Sequence, residues 1–482
     1  MEKRVLEGLQ PERALYYFEE ICKIPHGSRN TKQISDYLMR FAAAQGLRAV
    51  QDELNNVVVY KDGTPGYEDH PTVILQGHMD MVAEKTKDNP IDFTKDPLDL
   101  RTDGVEIWAE GTTLGGDDGI AVAYALAILE ADDVPHPPLE CVFTVDEEVG
   151  MEGATGLDPA LLQGRIFLNC DSEAEGILTV SCAGGARSDL TLPVKIEKAE
   201  GKGIHIYVDG LLGGHSGAEI HKGRANSNKL MGELLAKLLK EQPYRLVYVR
   251  GGQKDNAIPN YSMAKIIVAA DALEETLAKI DRLADELLKA LPAAETRAKI
   301  TREACVCRGR AMSVLSTRKA VGLLHDVPNG IQAWSKDIEG LVQTSLNLGI
   351  LKTEGEQLSM SFSVRSSVNR EKLELFEKIR AVGEKYGAAY GHHGNYPAWE
   401  YRKDSPLRDL MVRVFEELYC RRPVVEAIHA GLECGLFSDK LPGLDAVSFG
   451  PDMKDIHTTR ERLNVASAAR TWKYLLAVLE QL

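Results

Sequence analysis

No stretch of this chain is apolar for long enough to cross a bilayer: the longest apolar run, residues 120–129, is about half of what a membrane helix needs. The opening segment, MEKRVLEGLQPERALYYF, lacks the apolar core of a secretory signal. Cysteine is sparse, with eight in 482 residues, scattered and mostly flanked by apolar neighbours. That pattern suits buried free thiols and excludes a disulfide framework. Cys305 and Cys307 form a CxC with no second pair, which argues against a thiolate zinc site. Positive charge is also in deficit. A formal net charge of −15 argues against nucleic acid or an anionic membrane surface as partner. There is no internal repeat and no low-complexity tract. These absences together predict a cytoplasmic protein, and 482 residues are too many for one ordinary core, so two domains are expected.

What is present is organised around PTVILQGHMDM, residues 71–81. Its apolar run, 73–75, reads as a short buried strand, ending in a glycine and then His78 and Asp80. In open α/β sheets, ligands gather beyond the carboxyl ends of the strands. Imidazole is the commonest metal-ligating side chain, and a nearby carboxylate can fix its tautomer. Alone, such a histidine is more often a hydrogen-bonded surface group. Other strands end the same way, however. LECVFTV (139–145) runs into Asp146, Glu147 and Glu148, and IFLNC (166–170) runs into Asp171. AVSF (446–449) leads to a loop holding His457. TTLGGDDG places Asp117 and Asp118 at the start of an almost wholly apolar helix, whose N-terminus must therefore be internal. An ordinary N-cap accounts for one of these two acids and leaves the other without a job. Imidazoles and carboxylates at five related positions are hard to attribute to loop solvation.

Further helices are expected over 12–23, 31–45 and 463–479, and a strand over 57–60. Between about 186 and 395 the pattern becomes β-α-β-β-α-β, with strands at 204–208, 244–250, 263–269, 342–348 and 359–365 and helices at 226–240, 271–291 and 369–386. This predicts an α+β unit, a sheet with helices on one face, inserted into an α/β domain.

Two histidines and several carboxylates form a nitrogen/oxygen set suited to zinc, with manganese or cobalt able to substitute. A carboxylate shared by two ions about 3.5–4 Å apart is the usual two-metal hydrolase arrangement; it activates water and polarises a scissile carbonyl. One acid must stay off the metals as general base. Adjacent glutamates at a strand end suit this division, because successive side chains diverge.

The motifs GHMDM, GTTLGGDDGIA, DEEVGMEGATGL, NCDSEAEG, GGHSGAEIH, DNAIP and HAGLECGLF, with His457, resemble the aminoacyl-histidine (Xaa-His) dipeptidases. These belong to the two-zinc peptidases that include carboxypeptidases, tripeptidases and aminoacylases. The resemblance spans nearly the whole chain and implies a mixed-sheet catalytic domain, 1–185 plus 396–482, and an inserted lid, 186–395. It implies that His78 and Asp171 bind one zinc, and Glu148 and His457 the other. The bridge falls at Asp117; Asp118, where such dipeptidases often carry Asn, competes for that role. Asp80 would orient His78, Glu147 would be the general base, and His215, in a glycine-rich loop, would stabilise the oxyanion. Asn256 and Arg365 would hold the substrate carboxylate, with His429 and Glu433 lining the substrate site. His221, His392 and His393 read as surface or structural. Lid closure would bring His215, Asn256 and Arg365 to the metals. The implied activity is hydrolysis of unblocked dipeptides, Xaa-His among them, by a homodimer carrying two Zn2+ per subunit. An N-acyl amino acid deacylase or tripeptidase on the same centre, and a metal-holding scaffold without turnover, are the alternatives. Intact Glu147 argues against the scaffold.

Overall fold

The computed structural model describes residues 4–306 and 309–482, so Cys307 of the CxC pair lies outside the described residues. Of the cysteines within them, Cys22, Cys141, Cys170, Cys305 and Cys420 are free thiols. The chain forms two compact units, 4–181 with 401–427 and 432–482, and 182–400 with 428–431, ignoring the undescribed residues.

The first unit is built on an eight-stranded mixed sheet. At its centre Leu139–Thr144, Val73–His78, Ile166–Asn169 and Asp445–Ser448 lie side by side and parallel. Val57–Lys61 and Arg48–Gln51 extend one edge antiparallel, and Ile177–Cys182 and Val424–Ile428 extend the other. The parallel strands read as continuous apolar runs because both faces are covered. Shared direction puts their carboxyl ends on one edge, so the strand-end residues singled out by sequence converge there. The strand predicted at 73–75 runs on to His78, which is buried as its last residue.

Helix Gly116–Glu130 is buried at every position through Leu129, as its all-round apolarity requires. It packs on helix Glu12–Cys22, and Tyr124 donates its hydroxyl to Ala468 O of helix Val465–Glu480 at 2.8 Å. The N-cap expectation for the acid pair is corrected. Gly115 is the cap, and Asp117 and Asp118 have non-helical dihedrals (φ −82°, ψ 105° and φ −116°, ψ 29°). Their side chains are committed elsewhere.

The second unit carries a nine-stranded antiparallel sheet and four long helices, Ser227–Glu241, Leu273–Lys289, Val314–Asp326 and Asn369–Tyr386. On strand Lys202–Asp209, Ile204, Ile206 and Val208 join the helices in one core, while His205 and Tyr207 between them face away from it. This alternation is that of a sheet covered on one side. Helix Val314–Asp326 and the strands Gly184–Pro193, Lys299–Cys305 and Gly330–Trp334 add to the predicted pattern.

Candidate active site

Five segments of the first unit meet at the carboxyl edge of its parallel strands. His78 Nε2 lies 3.0 Å from Asp117 Oδ1 and 3.7 Å from Asp171 Oδ1. His457 Nε2 lies 3.1 Å from Asp117 Oδ2 and 2.9 Å from Glu148 Oε1. The two oxygens of Asp117 therefore face two different histidines. Asp118 is turned the other way: its Oδ2 accepts the backbone N–H of His78 at 3.3 Å, and its Oδ1 has no partner. Room for it exists because residue 77 is glycine; a Cβ there would stand 2.6 Å from Asp118 Oδ2 and from the Ala121 methyl. Asp118, His78 and Asp171 also offer ligand atoms within 4.8 Å of one another, as do His78, Glu147 and Glu148, and Asp117, Glu148 and His457.

Asp80 joins two strand ends. Its Oδ1 accepts the backbone N–H of Glu147 at 3.1 Å, and its Oδ2 accepts Ser28 Oγ–H at 2.8 Å. His78 Nδ1 is nearer the backbone carbonyl of Asp80 (3.0 Å) than its carboxylate (3.6 Å). Thus the orienting contact made by Asp80 is mainly through its main chain.

Crowding sets the electrostatics. Burial is the main cause lifting Glu147 to about 8, with His78 opposing and Glu433, Glu148 and Asp117 adding to it. Asp171 and Asp118 are also raised by burial and by neighbouring carboxylates. Asp117 goes down despite burial, because both histidines hydrogen-bond to it. His457 is pushed up to about 10 by its hydrogen bonds to Asp117 and Glu148. Six acids, Asp80 among them, crowd this edge with two imidazoles, so a donor set rich in carboxylates is largely buried, with His457 at its exposed side. Such a set fits divalent cations bound through nitrogen and oxygen.

Glu433, expected to line the substrate site, opens helix Glu433–Lys440. Its side chain is wholly buried, and Oε2 accepts from Gln76 Nε2 and Thr144 Oγ, both at 2.6 Å. Gln76 is held in turn by Asn169 Nδ2 at 2.7 Å. These three polar residues stand on adjacent parallel strands; no sequence pattern distinguishes them from the apolar residues around them. Glu461 is a further residue that sequence reasoning missed: its carboxylate accepts backbone N–H groups of the glycine-rich turn before Asp117.

In the second unit, His215, Arg365 and His429 surround Gly217. A Cβ at 217 would lie 2.8 Å from His429 O, 3.0 Å from His215 Cε1 and 3.1 Å from Arg365 Cζ. His215 Nδ1 accepts the backbone N–H groups of Gly217 (3.2 Å) and Ala218 (3.0 Å), which leaves Nε2 as the protonated, donating nitrogen. Burial, then the Arg365 charge, lowers its pKa and keeps the ring neutral. His429 Nε2 lies 2.7 Å from Ser345 Oγ, and burial with Arg365 lowers it to about 3. Arg365 Nη1 donates to the Tyr396 hydroxyl at 3.4 Å, and its Nε is buried without a partner. Asn256 has an exposed position, and its backbone carbonyl accepts Ser216 N–H at 2.8 Å.

Residues 74–481 match peptidase family M20/M25/M40. The chain is 35% identical over 479 residues, 99% of each sequence, to the cytosol non-specific dipeptidase of Escherichia coli (strain K12). Its structure is similar to that of aminoacylhistidine dipeptidase from Vibrio alginolyticus, with a TM-score of 0.95 and 35% identity over 100% of this chain and 98% of that one. Aminopeptidase PepT from Bacillus cereus shares the fold, at TM-score 0.57 and 15% identity over 98% and 99% of the two chains. The protein is a mixed α/β peptide hydrolase. It belongs to peptidase family M20/M25/M40.

Proposed function

We propose that this protein hydrolyses unblocked dipeptides, Xaa-His among them, at a centre of two divalent cations. The observation that carries this reading is Asp117, one carboxylate whose two oxygens address two histidines on separate elements. In this reading His78 and Asp171 would hold one cation and Glu148 and His457 the other, with Asp117 able to serve both. Zinc suits the donors, and manganese or cobalt can take its place. Bound there, the cations would supply Lewis acidity and a water activated near neutral pH. The two relatives that are 35% identical are dipeptidases, one of them an aminoacylhistidine dipeptidase, which favours the dipeptide class.

The chain's own groups divide the remaining work. Glu147, lifted towards neutrality, can take a proton from the attacking water and deliver it to the leaving amine. Asp80 keeps Glu147 and His78 in register through one hydrogen bond to each. His215 offers a fixed N–H donor for the developing oxyanion. Arg365, with an unsatisfied Nε, and Asn256 suit the substrate's carboxylate, and His429 stands with Arg365 around Gly217. Glu433 supports the strand ends from below. We place the enzyme in the cytoplasm, as the name of the E. coli relative suggests; a homodimer is the assembly that the resemblance implies.

The test is hydrolysis of carnosine, Ala-His, Gly-Gly, Leu-Gly, a tripeptide and N-acetyl-Ala, each with zinc, with manganese and with a chelator. Chelator-sensitive cleavage confined to dipeptides supports the reading. Cleavage of N-acetyl-Ala or the tripeptide in preference overturns the substrate class. No turnover with two metals bound returns the scaffold alternative.

A further inference from the structure

Glu461 lies four residues after His457 and is only 2% exposed, yet among the described residues no cationic side chain is within ion-pair distance of it. Its carboxylate instead collects main-chain donors. Oε2 accepts from Leu114 N (2.8 Å) and Gly115 N (3.2 Å), and Oε1 accepts from Gly116 N (2.8 Å), with Asp117 N at 3.5 Å. Successive N–H groups converge on one anion because Gly115 has left-handed dihedrals (φ 70°, ψ 32°). The turn so gripped is the one that presents Asp117. At the other end, Glu461 is tied to the loop of His457: its N–H donates to Thr458 O at 3.1 Å, and Thr458 Oγ donates to Asp455 O at 2.7 Å. Immediately after it, strand Arg462–Asn464 pairs with Glu106–Ala109, which anchors the base of that loop.

We propose that Glu461 is a positioning residue that fixes Asp117 and His457 relative to each other, clamping two ligands of the cation centre from different ends of the chain. This rests on the reading of Asp117 and His457 as cation ligands. A carboxylate is required, because it can accept at both oxygens. In Glu461→Gln one of them becomes an NH2 group facing N–H groups, with no change of volume.

The experiment compares zinc affinity, by competition with a chromophoric chelator, in the wild type, Glu461→Gln, His457→Ala and Asp117→Ala. Each is also loaded with Co2+ to record its d–d spectrum. Outer-shell partners of metal ligands typically alter affinity by about 10–100-fold. Glu461→Gln is expected to lose zinc affinity within that range and to shift the cobalt spectrum. It should also lower kcat for Ala-His with KM within about twofold of wild type, the pattern of a misplaced reacting centre rather than lost substrate contacts. Wild-type affinity and spectrum in Glu461→Gln, with affinity lost in His457→Ala, overturn the clamp alone. Unchanged affinity in both His457→Ala and Asp117→Ala overturns the clamp and the metal-centre reading together. Should Glu461→Gln not fold, amide exchange in the wild type decides. Slow exchange at Leu114, Gly115 and Gly116 supports the clamp, and fast exchange there overturns it.

Discussion

Glu433 shows how a single residue couples this site to pH. Folding raises its carboxyl from 4.5 to about 7, chiefly by burial, with His78, Thr144 and Gln76 opposing. A raised acid contributes stability that is complete below its unfolded pKa and is lost as pH rises through the folded value. Between about pH 4.5 and 7 the metal-free protein should therefore lose stability on this account, by on the order of 3 kcal/mol in all. Glu433→Gln keeps the volume and an acceptor for Gln76 and Thr144. Denaturant unfolding in chelator should find the variant more stable than wild type at pH 8, with the advantage gone at pH 4.5. Gly77 makes a second test. A methyl at 77 has no room between Asp118 and Ala121, so Gly77→Ala should destabilise by about 1–3 kcal/mol, read from urea midpoints.

At the scale of elements, helix Gly116–Glu130 shows what its own residues can specify and what they cannot. Its burial was legible because an apolar residue on every side leaves no solvent face. Its far end depends on Lys61, whose Nζ donates to Ile128 O, Leu129 O and Ala131 O at the helix C-terminus, where only Ile128 O also receives a main-chain N–H, that of Ala131. Lys61→Met should cost about 1–3 kcal/mol in thermal or urea unfolding, the penalty for unsatisfied buried acceptors. The strand ends bearing His78, Glu147, Glu148 and Asp171 were equally legible, since apolar runs stop abruptly at polar residues. Less could be read where pairing is remote. Strands Leu100–Thr102 and Glu106–Ala109 are three and four residues long and lie in what reads as a polar connection. Their order comes from each other and from Arg462–Asn464, with no local periodicity to announce it. The same holds for Gln76, Thr144 and Asn169, polar residues in apolar strands whose partners lie across the sheet, and for Glu461, whose partners are main-chain groups.

For the molecule as a whole, the residues proposed to hold the cations belong to the first unit, while His215, Arg365 and His429 belong to the second. Metal that binds the folded but not the unfolded chain stabilises by mass action, about 4 kcal/mol at a thousandfold excess over Kd. Chelation should therefore lower the melting temperature, and hydrogen exchange should show the loss of protection in the first unit, around residues 114–118 and 455–461. The measurement that bears most directly on the central claim is turnover of Ala-His by Glu147→Ala with its metal content determined in the same sample. A general base typically contributes 10²–10⁴-fold. Two metals per chain with kcat lower by about that factor is the predicted result; two metals per chain with wild-type kcat would contradict it.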